Sequence, residues 1–189
     1  MQSKRQKILE AAIRLFELEG IQAVGIERNI AESGVTRMTM YNQFGSKESL
    51  IVEALQECAR RSMHSLKAFV DKSRSPRGKV RAIFLWHDQW FRRANFEGCV
   101  FNNVAGEIHD GNSAVRRAVL RYKRDMERYV ASVLADQGIT SSKRLATRIM
   151  LLVEGATAMA YVCGKRDAAI KAWDAFEPSL KARELLEAV

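Results

Sequence analysis

The 189-residue sequence contains few residues that interrupt or cross-link a chain, with two prolines and three cysteines. Cys58, Cys99 and Cys163 are odd in number and far apart, which argues against a disulfide framework and favours a reducing cytoplasm. No apolar run reaches the ~18 residues of a membrane span, and the first residues lack the apolar stretch of a secretion signal. We therefore expect a folded cytoplasmic protein without membrane contact.

Strand patterns are missing as well. No stretch alternates apolar and polar residues, whereas apolar residues recur at helical spacing almost throughout the chain. Glycines and capping residues divide this pattern into about nine helices, with the clearest break at residues 73–78 and the last two helices at 142–163 and 167–186. Pro178 is expected to kink or split the last helix. The sequence predicts an all-α fold.

The net charge of +9 is unevenly distributed. Residues 1–50 hold seven Lys and Arg against six Asp and Glu, a net of +1, so the remaining 139 residues carry +8. A basic balance of this kind fits any acidic partner and does not by itself indicate nucleic acid.

The most informative stretch runs from Ala31 to Glu48. A short helix at 26–33 is predicted to end at Gly34, where glycine suits a left-handed turn, and a second begins after Thr36 as its N-cap and ends at Gly45. Two short helices joined in this way form a helix-turn-helix, whose second helix enters the major groove of DNA.

Polar residues follow the second helix at positions suited to DNA. Arginine can bind guanine or phosphate, amide side chains can pair with adenine edges, and a lysine at the next helix start can clamp a phosphate. The candidates are Thr36, Arg37, Thr39, Tyr41, Asn42, Gln43 and Lys47. The alternative is an ordinary helix pair whose polar residues face water.

Residues 5–55 resemble the DNA-binding domain of the TetR family of repressors. The matching elements are Ile8-Leu9-x-Ala11-Ala12-x-x-Leu15-Phe16, Gly20, Ile30-Ala31-Glu32-Ser33-Gly34-Val35 and Thr39-Met40-Tyr41-x-x-Phe44-x-Ser46-Lys47-Glu48-x-Leu50. Met40 stands where the family usually has leucine, Gly25 where it often has Ser or Thr, Asn29 for a frequent aliphatic residue and Gln43 for a common histidine. The changes at 25 and 29 are expected to loosen the first helix of the motif, and that at 43 to alter the operator read.

The resemblance implies a DNA-binding domain at 1–46 and a ligand-binding, dimerising helical domain at 47–189. Within the second domain, Gly98-Cys99-Val100-Phe101-Asn102-Asn103 with Glu107 and Val115-Arg116-Arg117-Ala118 are similar to a large subgroup of the family. This likeness implies an architecture and leaves the ligand open.

Small and apolar residues on the last two helices predict a dimer interface across a two-fold axis. They are Leu152, Gly155, Ala156, Met159, Ala160, Trp173 and Phe176. The alternative is that these residues bury the core of a single subunit.

A sensing pocket for an apolar or aromatic small molecule is expected among the middle helices. Its candidate lining is Trp86, Trp90, Phe91, Phe101, Met126, Tyr129, Met150 and Glu154, although such stripes more often form a core. Cys99, predicted to begin a helix, is a candidate thiol sensor, with simple packing as the favoured alternative. The three histidines, with Asp88 or Glu107, have no spacing that fixes a metal, and no cofactor is expected.

These features predict a ligand-released repressor that binds a palindromic operator as a homodimer. An enzyme is the first alternative, but the sequence lacks a nucleophile–base pair, a metal set and a phosphate loop. A helical adaptor that binds proteins is the second, and the retention of Tyr41 and Lys47 argues against it.

Overall fold

The computed structural model describes residues 3–111 and 113–180, and over these residues its regular structure is helical. The helices are α1 (Lys4–Glu19), α2 (Ile26–Ser33), α3 (Arg37–Phe44), α4 (Lys47–Val70), α5 (Pro76–Phe91), α6 (Val100–Glu107), α7 (Ala114–Ala135), α8 (Ser142–Val162) and α9 (Ala168–Phe176). The predicted all-α fold is confirmed. After α9 a turn at Glu177 precedes helical residues 178–180; the rest of the predicted last helix, to 186, lies outside the described residues.

Side-chain caps explain where several helices begin. Ser3, Thr36 and Ser75 each accept a hydrogen bond from a backbone N–H of the first turn of α1, α3 and α5, at 3.1–3.2 Å. Pro76 then begins α5 at a position where the missing N–H costs nothing. The local sequence therefore determines these helix starts before tertiary packing contributes.

The chain divides into two compact units. The first comprises the described residues of Met1–Ser62 and Cys99–Lys123, and the second those of Met63–Gly98 and Arg124–Val189. α4 and α7 have residues in both units, and the division into domains after residue 46 stays a prediction. The first unit holds α6 and the start of α7 in addition to the three N-terminal helices.

Each unit has its own apolar core. In the first, Ile8, Ala12 and Phe16 of α1 are buried, as are Met40 and Phe44 of α3. In the second, the Phe84 ring of α5 lies 5.5 Å from that of Trp173 and 5.8 Å from that of Phe176, both on α9. Met40 and Phe44 hold α3 in the core of the first unit, and contacts between aromatic rings join α5 to α9 in the second.

Among the described helices, α8 alone is long and apolar enough to cross a membrane by length and composition. Its mean hydropathy is 1.3, and 39% of the apolar window is buried against the rest of the chain. Core helices of soluble proteins meet the same criteria, so this is weak evidence for a membrane span. The larger part of this apolar window on α8 is therefore not buried by the chain itself.

Candidate nucleic-acid interface

A tight turn joins α2 to α3. Gly34 ends α2 in the left-handed conformation, with φ of 66° and ψ of 28°, and its N–H donates to the carbonyl of Ile30. Thr36 then begins α3: its hydroxyl oxygen accepts from the N–H of Thr39 and lies 3.0 Å from the Thr39 hydroxyl. The helix-turn-helix predicted for this stretch is therefore present in the structure.

Most of the predicted DNA-facing residues lie on the exposed side of α3. Thr36, Arg37, Tyr41, Asn42 and Gln43 are exposed, whereas Thr39 and Lys47 are half-buried. Met40 and Phe44 point the opposite way and are buried. The helix thus presents polar side chains on one face and fixes the other in the core of the unit.

Arg37 has a carboxylate neighbour that sequence reasoning did not foresee. Its guanidinium lies 2.7 Å from the carboxylate of Glu27 on α2, and the two side chains are 68% and 69% exposed. An exposed ion pair of this kind stabilises a protein by less than about 1 kcal/mol. Arg37 can therefore exchange Glu27 for a phosphate or a guanine edge at little cost.

Met38 was missed as a candidate DNA contact. Its side chain is 74% exposed on α3, directly between Arg37 and Thr39. Apolar side chains at such positions contact the methyl group of thymine. The signal was available in the sequence, since Met38 lies two residues before Met40, and residues two apart on a helix point in nearly opposite directions.

The first helix of the motif carries two local weaknesses. Gly25 at its N-cap offers no side-chain hydrogen bond. Asn29 is only 1% exposed, and neither atom of its side-chain amide has a hydrogen-bond partner among the described residues. Both features act in the direction expected from the sequence, because a missing cap and a buried, unpaired amide each cost stability.

Ion pairs attach α1 to α4 in the same unit. Arg61 of α4 donates to both carboxylate oxygens of Glu10 on α1 and also bonds Glu57, while Arg60 binds Glu57 at 2.7 Å. The Arg60 guanidinium, followed by Arg61, lowers the pKa of Glu57 to about 2, and Arg61 also lowers the pKa of Glu10. Within this network, the ion pair between Arg61 and Glu10 holds α1 against α4.

The predicted pocket residues are distributed over both units. Phe101 belongs to the first unit and stacks on Tyr122, with ring centroids 3.8 Å apart. The other seven lie in the second unit, where Trp86, Phe91 and Met126 are buried and Trp90, Tyr129, Met150 and Glu154 are half-buried. Their role as a ligand pocket stays a prediction.

The aromatic members of this set on α5 are close together. Trp86 and Trp90 have ring centroids 6.0 Å apart, Trp90 and Phe91 5.6 Å, and the indole N–H of Trp86 donates to Ser65 at 3.0 Å. Burial, and then the negative charge of Asp71, raise the pKa of Tyr129 to about 12. Its hydroxyl oxygen is buried without a hydrogen-bond partner in the described part of the chain.

Cys99 is the N-cap of α6 and is buried. The ammonium group of Lys123 donates to its sulfur at 3.8 Å. No cluster of three His, Cys, Asp or Glu residues in the described ranges could hold a metal ion.

The predicted dimer residues separate into exposed and buried groups. Gly155 and Met159 of α8 are exposed and Leu152 is half-buried, whereas Ala156 and Ala160 are buried. Trp173 and Phe176 are buried too, because both rings pack on Phe84 of the same chain. Sequence reasoning missed two apolar residues of the exposed face, Leu151 at 70% exposure and Val162 at 77%.

The fold and the α2–α3 geometry define a helix-turn-helix DNA-binding protein. Two family profiles place it further: bacterial regulatory proteins of the tetR family match residues 8–54, and the LmrA/YxaF-like C-terminal domain of transcriptional regulators matches residues 76–170. The chain belongs to the TetR family of transcriptional regulators. It is a regulator and not an enzyme.

Individual relatives agree with this assignment. The HTH-type transcriptional regulators YxaF and LmrA of Bacillus subtilis (strain 168) are 28% and 26% identical over 158 and 155 residues, 80% of this chain in both cases, and 81% and 82% of those proteins. The crystal structure of SCO4454, a TetR-family transcriptional regulator from Streptomyces coelicolor, is 30% identical, covers 95% of each chain and has a TM-score of 0.87.

Proposed function

We propose that this regulator is a cytoplasmic repressor that binds a palindromic operator as a homodimer and is released by a small molecule. The observation that carries the proposal is the exposed face of α3, which begins with Arg37 beside the Thr36 cap and continues through Tyr41, Asn42 and Gln43. The N-terminal residues of a recognition helix are those that reach base edges. The proposal rests on these direct contacts and does not require a large positive net charge in residues 1–50.

A second copy of the chain is the partner that best fits α8. Leu151, Met159 and Val162 leave large apolar surface exposed on one helix, and Gly155 between them allows a close approach of backbones. Packing this face against the same face of another subunit removes the apolar surface from water. Two-fold symmetry then requires one recognition helix for each half-site.

Release is proposed as a shift between two arrangements of the dimer. An apolar or aromatic effector would bind beside the α5 aromatic residues and favour an arrangement in which the two recognition helices no longer match successive major grooves. Cys99, next to Lys123, offers an alternative trigger: thiol–disulfide exchange with a small disulfide would join its sulfur to one half of that molecule, release the other half as a thiol, and add volume inside the first unit. The two triggers differ in whether a reducing agent restores DNA binding.

Fluorescence anisotropy with DNA flanking the chain's own gene tests the proposal. We expect tight binding that weakens steeply with salt and survives unrelated competitor DNA. Arg37→Ala and Tyr41→Ala should each weaken it by about 1–3 kcal/mol while circular dichroism and the melting temperature stay unchanged. Arg81→Ala, an exposed arginine of α5 in the second unit, is the matched control for lost charge.

The assay also separates the adaptor alternative. If no DNA site is found next to the gene or by selection from genomic fragments, the repressor proposal is overturned and protein binding becomes the better explanation. Equal losses in Arg37→Ala and Arg81→Ala would contradict the role of α3, because the charge alone would then account for binding.

A further inference from the structure

We propose that Glu107 is a positioning residue for DNA binding: through its carboxylate, α6 holds the turn between α1 and α2 and thereby controls the placement of α2 and α3. This inference rests on the proposed function. It concerns the first compact unit only, because residues 20–22 and Glu107 belong to that unit.

The contact consists of three hydrogen bonds between the last residue of α6 and the turn. The backbone N–H of Ile21 donates to Oε1 of Glu107 at 3.2 Å, and that of Gln22 donates to Oε2 at 2.6 Å. The side-chain amide of Gln22 donates in return to the carbonyl of Glu107 at 3.3 Å. Ile21 and Gln22 therefore donate hydrogen bonds to both carboxylate oxygens and to the backbone carbonyl of Glu107.

Gly20 makes this close approach feasible. It ends α1 with φ of 81°, a conformation that favours glycine, and a Cβ built on it would lie 2.8 Å from Oε1 of Glu107. Any side chain at this position would push the carboxylate away from the turn. The glycine that ends α1 therefore also leaves room for a residue 87 positions later in the chain.

The turn is a point of control because it leads directly into α2, which begins without a side-chain cap, and the buried Ile21 and Val24 pack the turn into the core. Gly25 gives α2 no side-chain cap, and Asn29 within it is buried without a partner among the described residues. The two N–H groups held by Glu107 lie four and five residues before Ile26, the first residue of α2. Displacing the end of α6 would therefore displace the turn and, with it, the helix that supports α3.

A second carboxylate contact lies just after α6. Oε1 of Glu48 on α4 accepts from the N–H of Ala114, the first residue of α7, at 3.2 Å. The connection between α6 and α7 is thus attached at Glu107 to the turn after α1 and at Ala114 to α4. Since coupling is reciprocal, DNA bound at α3 should stabilise α6 through the same contacts.

Hydrogen–deuterium exchange on the full chain tests the proposal with Glu107→Gln, which keeps the shape but replaces one acceptor oxygen by a donor. The control is Glu19→Gln, an exposed carboxylate paired with Arg28 that loses the same charge one residue before the turn. In the free protein, exchange at Ile21 and Gln22 should rise about tenfold or more in Glu107→Gln, because hydrogen bonds to charged groups protect strongly. The control should leave it unchanged.

The decisive measurement repeats the exchange with the operator fragment that binds the wild-type chain. Operator should slow exchange in α6 of the wild type and of Glu19→Gln, but not in Glu107→Gln, although α3 remains protected in all three. Operator binding by Glu107→Gln should weaken about three- to tenfold, whereas loss of a negative charge in the control should strengthen binding slightly or leave it unchanged. Glu107→Asp retains the charge and provides the test if the glutamine variant fails to fold.

The outcomes are distinct. Faster exchange in the turn with undiminished operator protection of α6 would show a purely structural contact and overturn the inference alone. Identical behaviour of Glu107→Gln and Glu19→Gln would do the same. If the wild-type chain binds no DNA site, there is no operator binding for Glu107 to affect. That result overturns the proposed function together with the inference.

Discussion

The exposed faces of α3 and α8 are opposite in character. On α3 the apolar residues Met40 and Phe44 are buried. The side chains that face outward are polar, with the exception of Met38. On α8 small residues such as Ala156 and Ala160 are buried, while Leu151 and Val162 face outward. An exposed polar helix suits a hydrated, charged partner, and an exposed apolar helix suits another protein surface. The exposed residues therefore distinguish a candidate DNA-binding face on α3 from a candidate protein-binding face on α8.

The largest expected effect tests whether Trp173 of α9 is a core residue. Trp173→Ala should lower the free energy of unfolding by about 3–5 kcal/mol, because it removes the ring that packs on Phe84. Urea unfolding at several protein concentrations measures it, and the loss should be equal at each. Trp90→Ala, at a half-buried position of α5, should cost clearly less. A loss below about 1 kcal/mol would show that Trp173 is not a core residue.

The next effect concerns the exposed face of α8 itself. Leu151→Glu should give a monomer in sedimentation experiments, because a charge would enter the proposed apolar interface. Operator affinity should fall about 100-fold, since two half-sites would no longer be bound by one linked pair of recognition helices. Leu120→Glu places the same charge at an exposed leucine of α7 and should leave the dimer intact. A dimeric Leu151→Glu would direct attention to another surface.

A smaller effect is expected in the helix that supports α3. Asn29→Leu should raise the free energy of unfolding by about 1–2 kcal/mol, because two unpaired polar atoms leave the core. Thermal and urea unfolding measure the gain. Asn42→Leu makes the same exchange on the exposed face of α3 and should not raise stability. A destabilised Asn29→Leu would mean that the site cannot accommodate the branched side chain.

The sequence predicted the helix-turn-helix in detail because local signals determine it. Gly34, Thr36 and the apolar spacing of α1 place α2 and α3 without reference to the rest of the chain, and the structure follows them. The burial of the predicted interface residues on α8 and α9 depends on packing that no local signal reveals. Trp173 and Phe176 have the composition of an interface, but Phe84, about 90 residues earlier, covers them.

The contact of Glu107 shows the same dependence on distant residues. The sequence marked Glu107 as part of a subgroup resemblance, but its partners Ile21 and Gln22 lie more than 80 residues away. The ion pair between Arg37 and Glu27 was likewise missed, although both residues were correctly placed on the two helices of the helix-turn-helix. Helix positions follow from the sequence, whereas pairings between helices require the fold.

The smallest effect tests the charged cluster of Glu57, Arg60 and Arg61 within α4. The pKa of Glu57 is about 2 when folded, against 4.5 for the free group, because Arg60 and Arg61 favour its ionised form. A lowered pKa contributes stability that is present above pH 4.5 and is lost as the pH falls from 4.5 towards 2. Glu57→Gln should therefore flatten the decline in stability over this range, and near pH 7 it should cost no more than about 1 kcal/mol, since the partners are partly exposed. Glu53→Gln, which loses a single ion pair to Arg5, is the control and should retain the slope of the wild type. An unchanged slope in Glu57→Gln would show that the charge of Glu57 contributes no pH-dependent stability.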